Sequence, residues 1–388
     1  MNICIISSGT KNDSIPPVRG GGIQNYIFSI SSYLASQGHN ITIFTKLSSN
    51  NLKKDEIIKG VHIKRIKVIE SSLFSTIFFS FKLLIKLKKL IRKRNIQIIH
   101  VNSRVSASII RFFFPNIPLI FTEHNWDILF APVGFTTSPI IHSFILLFEL
   151  LSLRLSSCII CLSSSSCTRI KSLLRKPKNF NKIIHIPNII NLELIKDFNR
   201  NLDQTLINKE YFIYIGRLEK EKNLELLIDS FAKINPNKYN VHLYIIGNGT
   251  LENKLINQIN DLNVDEYIKI IKDIQNKDKF SYLKNCKSLI LPSFYEIMPT
   301  VVLEAFAFKI PVIASKIKAH EELINNKING YLFNPKNGNE LSKILNFVID
   351  NNKNLKEMGE NAFMILKEKY SIDIVSNKLV QVYKKFTR

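Results

Sequence analysis

Two carboxylates carry the strongest chemical signal in this sequence. Glu296 and Glu304 stand eight residues apart in Leu291-Pro292-Ser293-Phe294-Tyr295-Glu296-Ile297-Met298-Pro299-Thr300-Val301-Val302-Leu303-Glu304-Ala305. Glu296 follows a run that reads as a buried strand. Glu304 sits among Val301, Val302, Leu303, Ala305, Phe306 and Ala307, in what reads as a short apolar helix. A carboxylate in such company is costly to bury unless it is paired or holds a ligand. Carboxylates accept hydrogen bonds from vicinal hydroxyls, which suits a sugar or a ribose. The free amides at the start of the helix suit a phosphate. The plain alternative is a pair of structural acids.

Cations stand where a phosphate would need them. The run Phe212-Ile213-Tyr214-Ile215-Gly216-Arg217-Leu218 reads as a strand, a Gly turn and the mouth of a helix, with Lys222 close behind. Arg217 offers a planar fork for phosphate oxygens and Lys222 a point charge. Against this, Glu219 and Glu221 are near enough to make both merely solvated surface charges. Gly247-Asn248-Gly249 ends another strand and gives a base or ribose room against backbone, although turn chemistry accounts for it equally well. Gly20-Gly21-Gly22 precedes Ile23-Gln24-Asn25-Tyr26 and lets backbone amides approach a phosphate at a helix start. It lacks the Gly-x-Gly-x-x-Gly spacing and its downstream acid, which disfavours a dehydrogenase. In Phe121-Thr122-Glu123-His124-Asn125-Trp126-Asp127, His124 follows a strand and is placed to meet a sugar hydroxyl or move a proton.

These residues require a scaffold of alternating strands and helices. Apolar runs at 2–7, 40–45, 96–101, 117–122 and 157–162 read as buried strands, with 61–69 a further candidate. Helical segments fall between them at 23–37, 72–94, 103–113, 138–156 and 164–175. The second half repeats the pattern, with strands at 211–215, 241–246, 267–271, 287–291 and 311–314 and helices at 222–234, 250–262, 276–285 and 299–308. Residues 337–388 read as helical throughout, and 186–208 as a linker. The expectation is α/β: two doubly wound parallel sheets facing a central cleft, with ligands at the carboxyl ends of strands. The expected domains are 1–195 and 196–370, with 371–388 a last helix crossing back to the first domain.

The 388 residues are globular in composition, with 45% hydrophobic and 22% charged residues and a net charge of +23. The excess is uneven: residues 1–195 hold 25 basic and 8 acidic residues, against 29 and 23 in the remainder. An anionic partner is expected for the first half. The segment from Ser72 to Arg94 has Lys82, Lys86, Lys88, Lys89, Arg92, Lys93 and Arg94 and no acid. Phe74, Ile77, Phe78, Phe81, Leu84 and Ile85 recur near helical spacing in it. It suits an anionic membrane surface, or else an ordinary sheet-covering helix with a basic face. No nucleic-acid-binding motif accompanies the charge. Neither the N-terminus nor the 139–151 run has the form of a signal peptide or a membrane span. Cys158-x-x-Cys161 lies in an apolar strand with no completing ligands, so buried structural cysteine is expected and a metal is not.

In combination these elements resemble the family 4 glycosyltransferases of the GT-B fold, from residue 1 to about 335. The resemblance rests on the Gly-rich loop, His124, Ile186-Pro187-Asn188, Gly216-Arg217-Leu218 with Lys222, Gly247-x-Gly249, Glu296-x7-Glu304 and Pro311-Val312. It implies a retaining, metal-independent hexosyl transfer from a UDP- or GDP-sugar, which is a co-substrate rather than a cofactor. Arg217 and Lys222 would neutralise the diphosphate. Glu296 would hold donor-sugar hydroxyls, and Glu304 the ribose. The stretch Ile297, Met298, Pro299, Thr300 and Val301 would line the donor, through the backbone amides of its non-proline residues. Gly21, Gly22, Gly216 and Gly247 would allow close approach, and His124 would contact the donor sugar near its 6-position.

The sequence departs from the family at three places: Ile297-Met298 follows the first Glu, Asn223 replaces a usual Gly after Lys222, and Lys309 replaces the usual Gly before Pro311. The resemblance also implies that residues 1–195 bind the acceptor and 196–370 the nucleotide sugar; because the acceptor half is then the basic one, a glycan or polyprenyl-linked acceptor at an anionic membrane is expected. The setting implied is peripheral, on the cytoplasmic face, in surface polysaccharide or glycoconjugate synthesis. A nucleotide-sugar epimerase on the same fold and a non-catalytic binding subunit are the competing readings.

Overall fold

A computed structural model of the chain describes residues 1–7, 14–17, 22–49, 51–68, 75–124, 139–175, 177–192, 209–274 and 276–387. These form two compact units, Met1–Asn188 with Ile372–Arg388, and Ile189–Ser371.

The first unit is built on an eight-stranded sheet in the order β3-β4-β2-β1-β5-β6-β7-β8. The strands are β1 (Asn2–Ile6), β2 (Asn40–Lys46), β3 (Asp55–Ile58), β4 (Val61–Ile66), β5 (Ile98–Val101), β6 (Leu119–Glu123), β7 (Cys158–Cys161) and β8 (Ile183–His185). All pairings are parallel except β3 with β4. The central strands are continuous apolar runs because helices cover a parallel sheet on both faces. Cys158 and Cys161 are both buried in β7, and the five cysteines are free thiols. Helices follow the strands at Gly22–Ser36, Ser75–Arg94, Arg104–Phe113, Pro139–Leu155 and Ser164–Leu174. Two of them start where serine dictates: the side chains of Ser103 and Ser163 accept from the amides of Ser106 and Ser166. No helix among the described residues is long and apolar enough to cross a membrane.

The last helix, Ile372–Phe386, completes this unit. It buries Val375, Ser376, Leu379, Val382 and Tyr383. The Tyr383 hydroxyl lies 2.6 Å from His100 Nδ1, and His100 Nε2 lies 2.6 Å from Thr122 Oγ1. A buried tyrosine needs such a partner.

The second unit has a six-stranded, wholly parallel sheet in the order β11-β10-β9-β12-β13-β14. Its strands are β9 (Glu210–Ile215), β10 (Val241–Ile246), β11 (Ile268–Ile271), β12 (Ser288–Leu291), β13 (Val312–Ser315) and β14 (Gly330–Phe333). Counted from β9, this is the Rossmann order 3-2-1-4-5-6. The direction of winding reverses between β9 and β12, the switch point at which such sheets bind ligands. The helical tail is three helices, Gly338–Asp350, Asn352–Lys369 and Ile372–Phe386, of which only the first two belong to this unit.

Candidate active site

The loops after β9 and β12 emerge side by side at the switch point, and they carry Arg217, Lys222 and Glu296. Lys222 Nζ donates to Glu296 Oε1 at 2.8 Å, and Ser293 Oγ donates to the same oxygen at 3.0 Å. Backbone joins the loops too, because the Phe294 amide donates to the Glu221 carbonyl at 2.8 Å. Burial alone would push the Glu296 carboxyl up. The charges of Lys222 and His320 and the hydrogen bonds from Lys222 and Ser293 outweigh it, so the carboxyl is held below its ordinary value. Glu296 is therefore ionised at neutral pH and acts only as an acceptor.

Asn223 makes this junction possible. It adopts a left-handed conformation, φ 55°. Its side chain donates to the Pro292 carbonyl at 3.1 Å and the Pro335 carbonyl at 2.9 Å. Asn223 thus adopts a backbone conformation that glycine favours and adds two struts. Lys309 is likewise left-handed, with φ 59°, and its Nζ pairs with Glu360 Oε1 at 2.8 Å.

Gly216 and Gly247 are explained by contacts within the protein. A Cβ on Gly216 would stand 2.5 Å from the Tyr214 hydroxyl, which itself donates to the Arg217 carbonyl at 2.8 Å. Gly247 has φ 152°, and a Cβ there would fall 1.8 Å from the Gly216 carbonyl oxygen. The two loops are locked backbone to backbone: Leu218 N donates to Asn248 O, and Leu251 N to Leu218 O. Glu219 fastens the same junction, accepting from Thr250 N at 3.2 Å and Thr250 Oγ1 at 2.6 Å. Arg217 is 61% exposed and its guanidinium is turned onto Glu221 Oε1 at 2.8 Å. The structure thus gives Glu219 and Glu221 separate tasks, one holding a loop and one holding Arg217.

Glu304 lies on the helix Thr300–Ala307, which follows Pro299 and has no side-chain cap. The Val302 amide donates to the Pro299 carbonyl at 3.2 Å, which leaves the Thr300 and Val301 amides for a ligand or water. Glu304 is buried, and Lys279 Nζ lies 2.8 Å from both of its carboxylate oxygens. The Lys279 ammonium also stands 4.7 Å from the Phe280 ring centroid. Met298 and Pro299 are buried, while Ile297, Thr300 and Val301 are half-buried along the rim of the same turn.

His124 and Gly22 belong to the first unit. His124 Nε2 lies 2.8 Å from Asn102 Oδ1, and its ring packs edge-on against Tyr26 with centroids 5.4 Å apart. Burial, with a smaller contribution from His100, pushes the His124 pKa down to about 3. The ring is neutral at pH 7. Gly22 opens the helix Gly22–Ser36. Gly21, Asn125, Trp126 and Asp127 lie outside the described residues. No group of three or more potential metal ligands occurs among the described residues.

Two family models match the chain. One, described as Glycosyltransferase Family 4, matches residues 20–194, and the other, Glycosyl transferases group 1, matches residues 197–364. The chain belongs to the family 4-like glycosyltransferases. An uncharacterized glycosyltransferase of Methanocaldococcus jannaschii is 24% identical over 95% of both chains. A Campylobacter jejuni enzyme is 27% identical over 43% of this chain and 44% of its own. It is an N-acetylgalactosamine-N,N'-diacetylbacillosaminyl-diphospho-undecaprenol 4-alpha-N-acetylgalactosaminyltransferase. Among solved structures, Anabaena HepE in complex with UDP-glucose superposes with a TM-score of 0.77. It covers 99% of this chain and 100% of its own, at 18% identity.

In this glycosyltransferase the structure adds three residues to those legible in the sequence: Lys279, Ser293 and His320. Lys279 comes from the helix Asn276–Lys284 and His320 from the turn after β13. Each stands near its carboxylate from a different element of the chain, so neither has a local sequence signature. Ser293 had one, its position three residues before Glu296 on a strand exit.

Proposed function

We propose that this glycosyltransferase moves a hexose-type sugar from a UDP- or GDP-sugar to a glycan or polyprenyl-diphosphate-linked acceptor, with retention of anomeric configuration and without a metal ion. The observation that carries the proposal is the switch-point cluster, in which a lysine already holds an ionised glutamate at 2.8 Å beside an uncapped helix start. Glu296 has acceptor oxygens to offer sugar hydroxyls. The departing nucleoside diphosphate gains negative charge as the anomeric C–O bond breaks. Lys222 and Arg217, with the amides at Thr300 and Val301, are fixed donors for that charge, and preorganised donors lower a barrier most where charge develops. Glu304, backed by Lys279, is the ribose acceptor. No protein nucleophile is assigned, and retention follows from attack on the face the leaving group vacates.

The UDP-glucose bound by HepE and the diphospho-undecaprenol acted on by the Campylobacter enzyme support the donor and acceptor classes. The surface of the first unit supports a membrane setting in polysaccharide or glycoconjugate synthesis, on the cytoplasmic face. On the helix Ser75–Arg94 the sheet-facing stripe is Phe79, Leu83, Leu87 and Leu90, which leaves Phe78, Phe81 and Ile85 exposed among lysines. Phe112 and Phe113, on the helix packed against it, are exposed as well. Exposed aromatics within a basic field are what an anionic bilayer surface binds.

The test is nucleoside diphosphate release from UDP-glucose, UDP-N-acetylglucosamine and GDP-mannose, with and without an undecaprenyl-diphosphate-linked glycan. Acceptor-dependent release that is lost in Glu304→Ala supports the proposal. Release from none of the three donors in the presence of that acceptor, with no thermal stabilisation by UDP or GDP, counts against it.

A further inference from the structure

His320 is wholly buried, and one side of its ring has no partner. Nδ1 lies 2.8 Å from the Ser315 carbonyl oxygen, which can only accept, so Nδ1 carries the proton. Nε2 is then a bare acceptor, and it makes no hydrogen bond while sealed from solvent. A buried polar atom left unpaired is expensive and calls for an explanation, which for His320 its neighbours supply. Burial lowers the proton affinity of the ring, and its charged neighbours are Glu296, which favours the proton, and Lys222, which opposes it. His320 therefore stands beside the pair that forms the donor site.

Its mount is part of the same construction. Ser315 Oγ donates to the Ser293 carbonyl, and Ser293 Oγ donates to Glu296 Oε1 at 3.0 Å. His320, Ser315, Ser293 and Glu296 thus form one chain of contacts from the turn after β13 to the loop after β12. Diphosphate oxygens are acceptors and have nothing to give a bare imidazole nitrogen. A sugar hydroxyl does.

We propose that His320 Nε2 accepts a hydrogen bond from a hydroxyl of the donor sugar, making His320 a sugar-selecting contact beside Glu296. The inference rests on the nucleotide-sugar reading above and adds to it a discriminating residue.

Two variants separate the roles of the two nitrogens. His320→Asn keeps a donor for the Ser315 carbonyl and deletes the acceptor at the Nε2 position. His320→Gln keeps an acceptor there and loses the strut. Calorimetry would give affinities for UDP, UDP-glucose, UDP-N-acetylglucosamine, GDP and GDP-mannose. In the wild type the sugar adds affinity over the bare nucleotide. We expect H320N to bind the nucleoside diphosphate as the wild type does and to lose about three- to tenfold of the sugar's added affinity. H320Q should recover part of it. One monodeoxy form of the bound sugar should show the same loss in the wild type and no further loss in H320N.

The proposal is overturned if H320N keeps the full sugar increment, in which case His320 only packs. It is also overturned if H320N loses bare nucleotide equally, or if no monodeoxy sugar matches the loss, as a bound water on Nε2 would produce. If the wild type binds none of the five ligands, the nucleotide-sugar reading fails and this inference falls with it. If it binds them and the variant is unchanged, His320 alone is refuted.

Discussion

One ammonium group spans both oxygens of a buried carboxylate: Lys279 Nζ stands 2.8 Å from Glu304 Oε1 and 2.8 Å from Oε2, with the side chains only 10% and 7% exposed. A ribose hydroxyl that reaches Glu304 must therefore share it with Lys279. The lysine fixes the plane of the carboxylate and so the direction from which a hydroxyl can approach. Removing one partner of a buried pair strands the other. Lys279→Met is expected to destabilise the second unit by about 3 kcal/mol, and Lys279→Met with Glu304→Gln to recover most of that. Urea unfolding of the two variants and of Glu304→Gln closes the cycle. Additive losses in the double variant would show that the two side chains do not act as a pair.

Lys222 should matter more to the rate than to donor binding. Its charge is already spent on Glu296 in the structure, and the larger gain comes as the diphosphate departs. Lys222→Met should lower kcat by roughly 100-fold or more while the donor KM changes by less than about tenfold. Steady-state release of nucleoside diphosphate measures both. A rise in KM with kcat intact would place Lys222 in ground-state binding.

Two contributions to the pH dependence of stability can be separated by the pH at which they act. The Glu296 carboxyl is held below its ordinary value, so its contribution is present above about pH 4.3 and is lost as pH falls through the lower folded value. The stability difference between wild type and Glu296→Gln should therefore shrink as pH falls below about 4.

Histidine acts over a higher window. Burial pushes His100 down to about 3, and His124 likewise. A base with a depressed folded pKa contributes fully above its unfolded value, near 6.5, and loses that contribution as pH falls towards the folded one. Each such histidine adds a slope of about 1.4 kcal/mol per pH unit inside that window. His100→Gln should remove about one such slope from the unfolding of the first unit. An unchanged slope between about pH 6 and pH 4 would refute the assignment.

The exposed apolar row should be a lipid contact and nothing else. Phe81→Ser with Ile85→Glu leaves Phe79, Leu83, Leu87 and Leu90 against the sheet. We expect unchanged circular dichroism and melting, with co-sedimentation on vesicles containing phosphatidylglycerol reduced about tenfold or more. Equal sedimentation of variant and parent would leave the basic residues as an ordinary solvated face.

Most of the sheet was legible because a parallel strand buried on both faces leaves an unbroken apolar run. The strands that escaped are β3, β8 and β14, of four, three and four residues. They lie at sheet edges, where one flank needs no covering and the apolar signal thins. The helix Ser75–Arg94 was legible as a helix but not as to its faces. Its first turns carry no charge on any side, so Phe79 and Phe78 are equivalent in sequence, yet one is buried and the other exposed in the fold. In the site, Glu296 and Glu304 announced themselves as charges among apolar neighbours. Their partners did not: Lys279 lies 25 residues before Glu304, and His320 is placed by a neighbouring strand. The glycines of the loops after β9 and β10 had a second reason, since they let those loops touch through bare backbone.

The last helix belongs to the first unit, and that fixes an order of events at the ribosome. Residues 189–371 are contiguous and can close their sheet as soon as they have emerged, whereas the unit begun at Met1 waits for Ile372–Phe386. Until Tyr383 arrives, His100 Nδ1 has no phenol to meet, and the surface that the last helix covers stays open. The half of the enzyme translated first is thus the half finished last. Its incomplete form leaves that apolar surface uncovered, and exposed surface of this kind is prone to aggregate.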